Sequence, residues 1–259
     1  MATAIINGTL LHYRCQGNPA HPTVVLSNSL GTDLTMWDDL AYRLATQFHV
    51  LRCDTRGHGA SNSPAGPYTL ELLGRDVLAL LDKVEVARAH FVGLSMGGAI
   101  GQWLGVHAPE RLERLVLANT AARIGTAEGW RARAEAVRTT GMEDIAAGSP
   151  GRWFTPVFVA AQAELVRAMQ ATLRSTDPEG YAACCDALAG ADLRQEIGRI
   201  SAPTLIVAGT FDPVTTVEDA RAMQRAIPGA LLATVPASHL SNLEAPELFA
   251  ETVHAFLRG

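Results

Sequence analysis

The chain has 259 residues, of which 48% are hydrophobic and 18% are charged. This length and composition allow one core domain with a sizeable buried interior. The formal net charge of −5 argues against nucleic acid and against an anionic membrane surface as partners. We expect a cytoplasmic protein without a metal, because the four cysteines have neither disulfide nor zinc-ligand spacing and no apolar run could span a membrane.

Strands and helices are predicted to alternate along most of the chain. It opens with a hairpin pattern, in which residues 4–6 and 10–13 flank Asn7-Gly8. The elements predicted next are strand 23–27, a helix near 36–46, strand 49–53, helix 69–84, strand 89–92, helix 96–107 and strand 113–118. This alternation predicts an α/β fold with a mostly parallel sheet covered by helices on both faces.

The alternation breaks near Ala121 and resumes near Ala202. Helical periodicity dominates between these points, over residues 130–137, 156–175, 178–188 and 193–200. We interpret residues 121–201 as a helical cap inserted after the sixth strand, and residues 1–120 and 202–259 as the core domain. A cap in this position would exclude water and shape a pocket at the edge of the sheet.

The segment Gly93-Leu94-Ser95-Met96-Gly97 lies between a predicted strand and a predicted helix. A G-x-S-x-G pattern in this context predicts a nucleophile elbow, a strained turn that raises a serine hydroxyl above the sheet. Gly93 and Gly97 would be glycine because the turn leaves no room for a Cβ. Met96 would begin the helix, with its N–H directed at a developing oxyanion.

Two further polar residues follow later strands, first an acid and then a histidine. Asp212 follows the apolar strand 203–209, and His239 follows the strand 231–235. Since the carboxyl ends of parallel strands share one edge, we expect both side chains to meet Ser95 there. They would form a catalytic triad, with Ser95 as nucleophile, His239 as base and Asp212 fixing the imidazole tautomer.

Each of these residues also has a non-catalytic interpretation. Asp212 could cap the helix near Val217, and a lone loop histidine is more often solvated or structural than catalytic. The order and placement of all three residues favour the triad. His58, in the segment Asp54–Ser61, is interpreted as holding a loop and is not assigned to catalysis.

The second oxyanion donor is predicted in the loop Asn28–Thr32, which follows the strand 23–27. By position, the backbone N–H of Leu30 would pair with that of Met96 to form the oxyanion hole. We expect Asn28 and Ser29 to add polar groups near the mouth of the pocket.

These residues resemble the 3-oxoadipate enol-lactonases of the α/β-hydrolase superfamily, and the resemblance spans essentially the whole chain. It is carried by Leu26–Asp33 with Met36-Trp37-Asp38, by Asp54–Gly59, and by Gly125-Thr126 with Trp130 and Arg133. The resemblance implies hydrolysis of 3-oxoadipate enol-lactone in bacterial protocatechuate and catechol degradation, the β-ketoadipate pathway. It carries over the triad Ser95, Asp212 and His239, and no organic cofactor is expected.

The substrate implied by this resemblance is an anion, and a buried carboxylate needs a cationic partner. The first part of the predicted cap contains four arginines, namely Arg123, Arg131, Arg133 and Arg138. Arg133 and Trp130 would share one helix face, so we expect the indole to pack on the lactone ring while the guanidinium binds the carboxylate. The alternative is a solvated arginine face with Trp130 buried in the cap.

Other functions are compatible with the same sequence features. A hydrolase of the same fold could act on another ester, another lactone or a carbon–carbon bond. A more remote alternative is a non-catalytic ligand receptor on this scaffold, which would have no need of a triad. Enzymes that use a carboxylate nucleophile at the elbow are excluded by Ser95.

Overall fold

The computed structural model describes residues 2–259, and its centre is an eight-stranded sheet. The strands are β1 (Ala2–Ile6), β2 (Thr9–Gln16), β3 (Thr23–Ser27), β4 (His49–Cys53), β5 (Ala89–Leu94), β6 (Leu112–Ala118), β7 (Thr204–Gly209) and β8 (Leu231–Val235). Their order is β1-β2-β4-β3-β5-β6-β7-β8, and only the pairs β1–β2 and β2–β4 are antiparallel. The mostly parallel sheet and the opening hairpin are therefore as predicted.

Helices cover both faces of this sheet. They are α1 (Asp38–Leu44), α2 (Leu70–Lys83), α3 (Met96–His107), α4 (Ala127–Thr140), α5 (Glu143–Ala147), α6 (Pro150–Trp153), α7 (Pro156–Ala161), α8 (Ala163–Ser175), α9 (Pro178–Gly190), α10 (Val217–Ala226), α11 (Ser241–Glu244) and α12 (Pro246–Arg258). The central strands β3 and β5 are buried along their whole length, as expected for parallel strands with helices on both sides. Within residues 2–259, no helix is long and apolar enough to cross a membrane.

Helices α4 to α9 form one stretch between β6 and β7, called here the helical segment. It differs from the sequence prediction in three respects. The short helices α5 and α6 lie in a stretch where no helix was predicted. The predicted helix 156–175 is two helices, because the chain leaves helical geometry at Gln162. The predicted helix 193–200 is wrong, since only Ile197–Arg199 forms a short 3₁₀ turn there. The interpretation of residues 121–201 as a separate cap domain stays a prediction.

The helical segment meets the core through two facing glycines. Gly57 lies in the loop after β4 at φ 81°, and a Cβ at this position would lie 2.6 Å from the Gly180 Cα. A Cβ on Gly180 would in turn overlap the Gly57 backbone. Helix α9 therefore packs against the core at backbone contact distance, and α4 packs on α9.

Candidate active site

Ser95 occupies a strained turn between β5 and α3. Its backbone has φ 57° and ψ −115°, a conformation that non-glycine residues rarely adopt. A Cβ on Gly93 would overlap the Gly97 carbonyl oxygen, and one on Gly97 would overlap the Ser27 carbonyl oxygen. The steric prediction for both glycines is thus confirmed, and α3 begins at Met96 as expected.

The structure brings Ser95, Asp212 and His239 together, and all three are buried. The His239 Nε2 lies 2.9 Å from the Ser95 Oγ, and the His239 Nδ1 lies 2.8 Å from the Asp212 Oδ2. Since an ionised carboxylate can only accept, the Nδ1–H donates to Asp212. Nε2 is then left with its lone pair to accept the Ser95 hydroxyl proton.

The Asp212 carboxylate is surrounded by hydrogen-bond donors. Its Oδ1 accepts from the Val214 and Thr215 N–H groups, at 2.7 and 3.1 Å. Its Oδ2 accepts from the Thr215 hydroxyl at 2.7 Å and from the Asn119 Nδ2 at 3.0 Å. Burial alone would raise the pKa of Asp212, but the hydrogen bonds from His239, Asn119 and Thr215 outweigh it and lower the pKa below its usual value. The cap of α10 is Thr216, so Asp212 does not have the helix-capping role considered above.

Asn119 is a contributor to this site that the sequence interpretation missed. It follows β6 directly, with φ 43°, and its Nδ2 also donates to the Ser238 carbonyl oxygen at 3.1 Å. It therefore ties the acid to the loop that carries His239. The rule that placed Asp212 and His239, a polar residue at the end of a parallel strand, also applies to Asn119.

The two predicted oxyanion donors are the Leu30 and Met96 N–H groups. Neither donates a hydrogen bond to an acceptor within residues 2–259. The peptides next to them are fixed, since the Gly97 N–H donates to the Asn28 carbonyl oxygen at 3.0 Å and the Gly31 N–H donates to the His58 Nε2 at 2.9 Å. The elbow and the loop after β3 are thus held in one arrangement.

His58 and Asn28 are both buried supports of that loop. Burial lowers the pKa of His58, which keeps Nε2 unprotonated and able to accept from Gly31. The expectation that Asn28 adds a polar group at the pocket mouth is wrong. Its amide donates to the Cys53 carbonyl oxygen and accepts from the Trp37 Nε1, so both ends are used inside the core. Ser29 does line the pocket.

A cavity of about 430 Å³ separates the sheet edge from the helical segment. On the core side it is lined by Ser29, Leu30, Ser95, Pro213, Val214 and His239. On the segment side the polar and aromatic lining residues are Trp130, Arg133, Arg152, Trp153 and Tyr181. The serine and the histidine therefore line the same cavity as two arginines.

The five arginines in residues 121–155 differ in their partners. Arg123 pairs with Asp192, and Arg138 pairs with two carboxylates across α4 and α9. Arg133 and Arg152 line the cavity, and neither lies within ion-pair distance of a carboxylate in the part of the chain that the structure describes. Arg131 is exposed, outside the cavity lining.

The two cavity arginines influence one another. The Arg133 guanidinium lies over the Trp130 ring, 4.7 Å from its centre, so these residues share one face of α4 as predicted. Burial and the nearby charge of Arg133 both lower the pKa of Arg152. Arg152 was missed because it lies in α6, beyond the arginine-rich stretch on which the sequence interpretation relied. Two adjacent positive charges without a carboxylate partner favour binding of an anion.

Comparisons with known proteins show the family of this chain. A family model described as alpha/beta hydrolase fold matches residues 22–246. The chain is 46% identical to 3-oxoadipate enol-lactonase 2 of Acinetobacter baylyi, covering 96% of this chain and 93% of the relative. It is 43% identical to 3-oxoadipate enol-lactonase 1 of the same organism, covering 97% and 94%.

A solved structure gives the same result. The crystal structure of the enol-lactonase from Burkholderia xenovorans LB400 superposes with a TM-score of 0.98 at 45% identity, covering 100% of both chains. The chain therefore belongs to the α/β-hydrolase family and, within it, to the 3-oxoadipate enol-lactonases.

Proposed function

We propose that this enzyme hydrolyses the ester bond of 3-oxoadipate enol-lactone to give 3-oxoadipate, as a step in bacterial aromatic degradation. One observation carries the proposal: a single cavity has Ser95 and His239 on one wall and, on the other, Arg133 and Arg152, neither of which pairs with a carboxylate in the described residues. This arrangement suits a small substrate that has both an ester and a carboxylate. Relatives named 3-oxoadipate enol-lactonase, at 43–46% identity over nearly the whole chain, support the same substrate.

Acylation would begin with attack of the Ser95 Oγ on the lactone carbonyl carbon. His239 Nε2 takes the hydroxyl proton, and ionised Asp212 stabilises the imidazolium that forms. The negative charge on the carbonyl oxygen is stabilised by the Leu30 and Met96 N–H groups, which have no other acceptor within residues 2–259. In other enzymes, one such donor contributes about 3–4 kcal/mol to the transition state.

Collapse of the tetrahedral intermediate breaks the bond between the acyl carbon and the enol oxygen. His239 gives its proton to that oxygen, and the resulting enol tautomerises to the ketone. A water molecule, deprotonated by His239, then attacks the acyl-serine, and the proton returns to the Ser95 Oγ as the product leaves. The leaving enol is a better leaving group than an alkoxide, so the ester is already activated.

We assign the substrate's carboxylate to Arg133 and its lactone ring to Trp130. The guanidinium and the indole lie on one face of α4 and both line the cavity. Trp130 is held by a hydrogen bond from its Nε1 to the Ile124 carbonyl oxygen, at 2.6 Å. Arg152 adds a second positive charge to the same wall. Arg133 also forms a cation–π contact with Trp130, which orients it before the anion arrives.

The test is an assay with freshly generated enol-lactone, following the loss of its ultraviolet absorbance. We expect turnover by the wild type and none above background by Ser95→Ala. p-Nitrophenyl acetate, a neutral ester, is the comparison substrate, and kcat/KM should favour the lactone. Turnover of the neutral ester without turnover of the enol-lactone would overturn the substrate and leave a general esterase.

We also propose a cytoplasmic location. All four cysteines are free thiols, and Cys184 and Cys185 are adjacent and buried. Free thiols in this number suit a reducing compartment. Fractionation of the cells that make the enzyme would check this, and recovery from the periplasm would contradict it.

A further inference from the structure

The Glu244 carboxylate joins the loop of the histidine to the helical segment. Glu244 is the last residue of α11, five residues after His239. Its Oε2 accepts from the Ser238 N–H at 2.8 Å. Its Oε1 accepts from the Thr155 N–H at 3.2 Å and from the Thr155 hydroxyl. One carboxylate therefore bridges the residue before His239 and the residue that caps α7.

A second bond joins the same two stretches on the other side of His239. The Leu240 N–H donates to the Trp153 carbonyl oxygen at 3.0 Å. The residues before and after His239 are therefore both tied to residues 153–155 of the helical segment. Trp153 itself lines the cavity, so this stretch forms part of the wall that faces the substrate.

The Glu244 contacts continue to the triad through Ser238. The Ser238 carbonyl oxygen accepts from the Asn119 Nδ2, which also donates to the Asp212 Oδ2. Hydrogen bonds thus run without a break from Thr155 through Glu244 and Ser238 to the acid of the triad. Within residues 2–259, Glu244 has no cationic partner at ion-pair distance, so neutral donors from two regions of the chain satisfy this half-buried carboxylate.

We propose that Glu244 is a positioning residue that couples the docking of residues 153–155 to the placement of His239. This rests on the proposed triad mechanism. With residues 153–155 docked, the carboxylate holds Ser238, and the His239 Nε2 is directed at the Ser95 Oγ. With that stretch undocked, the Thr155 and Trp153 bonds are both lost and the histidine loop loses its outer support. A misplacement of about 1 Å in a reacting group can lower the rate about a hundredfold.

The test compares Glu244→Ala, Glu244→Gln, Thr155→Val and the double variant Thr155→Val with Glu244→Ala. Steady-state kcat and KM are measured on p-nitrophenyl acetate, whose neutral acyl group needs no arginine. Glu244→Ala should lower kcat about 10- to 100-fold with little change in KM. Glu244→Gln should recover part of this loss, because its amide oxygen can still accept one of the bonds. Thr155→Ser, which keeps the hydroxyl, should behave as wild type.

Coupling predicts that the two sites are not additive. Thr155→Val should lower kcat by a smaller factor, because the backbone N–H of residue 155 can still donate to Glu244. The double variant should be no slower than Glu244→Ala, because the hydroxyl bond that Thr155→Val removes is already lost with the carboxylate. Glu247→Ala is the matched control, because Glu247 is an exposed glutamate three residues after Glu244. This substitution should leave kcat unchanged. If Glu244→Ala does not fold, the kcat values of Glu244→Gln and Thr155→Val test the proposal.

Two results would overturn the coupling. One is an unchanged kcat in folded Glu244 variants whose melting temperature falls, which would make Glu244 structural only. The other is a double variant whose loss equals the product of the single losses. Ser95→Ala is measured alongside to separate the two proposals. An inactive Ser95→Ala with fully active Glu244 variants removes only the coupling, whereas an active Ser95→Ala removes the triad mechanism itself.

Discussion

The sheet edge that carries the triad and the helical segment above it differ in how tightly their backbones are packed. At the edge, Gly93 and Gly97 have no room for a Cβ, because the neighbouring carbonyl groups already occupy that space. In the helical segment, a Cβ on Gly151 or Gly190 would meet no atom within 4 Å. The edge therefore has no room for a side chain at either glycine, whereas the segment is open at these two positions, although its Gly180 is packed as tightly as the edge.

The two regions also differ in how their charges are satisfied. The Asp212 carboxylate accepts hydrogen bonds at both oxygens, so the catalytic side is complete without a ligand. Arg133 and Arg152 face the same cavity without a carboxylate partner in the described chain. On the proposed mechanism, the core would supply the chemistry and the segment would supply the choice of substrate.

The largest expected effect is on the core side of this comparison. Ser95→Ala should lower kcat by more than about 10³-fold, because the base then has no hydroxyl to activate. Asp212→Asn should cost about 10⁴-fold, since an amide at this position favours the wrong imidazole tautomer. Circular dichroism should show both variants folded. If Ser95→Ala retained more than about a tenth of the wild-type rate, direct attack by water would replace the acyl-enzyme.

The second prediction concerns the difference in backbone packing between the sheet edge and the helical segment. Gly97→Ala should destabilise the enzyme by about 2–4 kcal/mol or prevent folding, because the new methyl group would overlap the Ser27 carbonyl oxygen. Gly151→Ala should not destabilise it, because that methyl group would occupy open space at a helical position. Urea unfolding of both variants checks this, and equal losses would remove the distinction between the regions.

The third prediction concerns substrate choice. Arg133→Ala should reduce kcat/KM for the enol-lactone by about 2–4 kcal/mol of transition-state binding, while kcat/KM for p-nitrophenyl acetate stays near wild type. Arg131→Ala is the matched control on the same helix, because its side chain is exposed. Equal losses on both substrates would make Arg133 structural and place the carboxylate site elsewhere.

The smallest expected effect concerns how stability depends on pH through His58, which supports the loop after β3. Burial lowers the pKa of His58, so the unfolded chain binds this proton at a higher pH than the folded one. Stability should therefore fall as the pH drops below about 6.5, the usual value for histidine, toward the folded pKa. His58→Gln should lose part of that slope, although the buried His49 and His90, whose pKa values are also lowered by burial, will keep the rest. Melting temperatures between pH 7 and pH 5 test this, and an identical slope would contradict it.

The sequence predicted the parts of this molecule that follow from local pattern. Ser95, Asp212 and His239 each follow a strand of a parallel sheet, so strand order alone places them at one edge. The expected elbow glycines follow from the geometry of a single turn. The predictions missed the break at Gln162 and placed a helix in the non-helical stretch after α9. Both errors arose because the apolar periodicity continues where the helical backbone stops.

Arg152 and Glu244 could not have been found in this way. Arg152 matters because α6 brings it beside Arg133, and their separation along the chain carries no sign of that contact. Glu244 matters because its partners are Ser238 and Thr155, the second of which is 89 positions away. Such roles depend on how the helical segment rests on the core, which neither periodicity nor spacing encodes.

The facing glycines set a limit on how substrate reaches the cavity. With Gly57 and Gly180 at backbone contact, outward tilting of α9 would leave a gap that no side chain on either residue can fill. The helical segment is therefore not expected to swing away as one hinged lid. Gly151 borders both the cavity and a surface groove along α7. We expect the lactone to enter and the product to leave at that edge, by a local parting of α6 and α7 from the core while α9 stays in place.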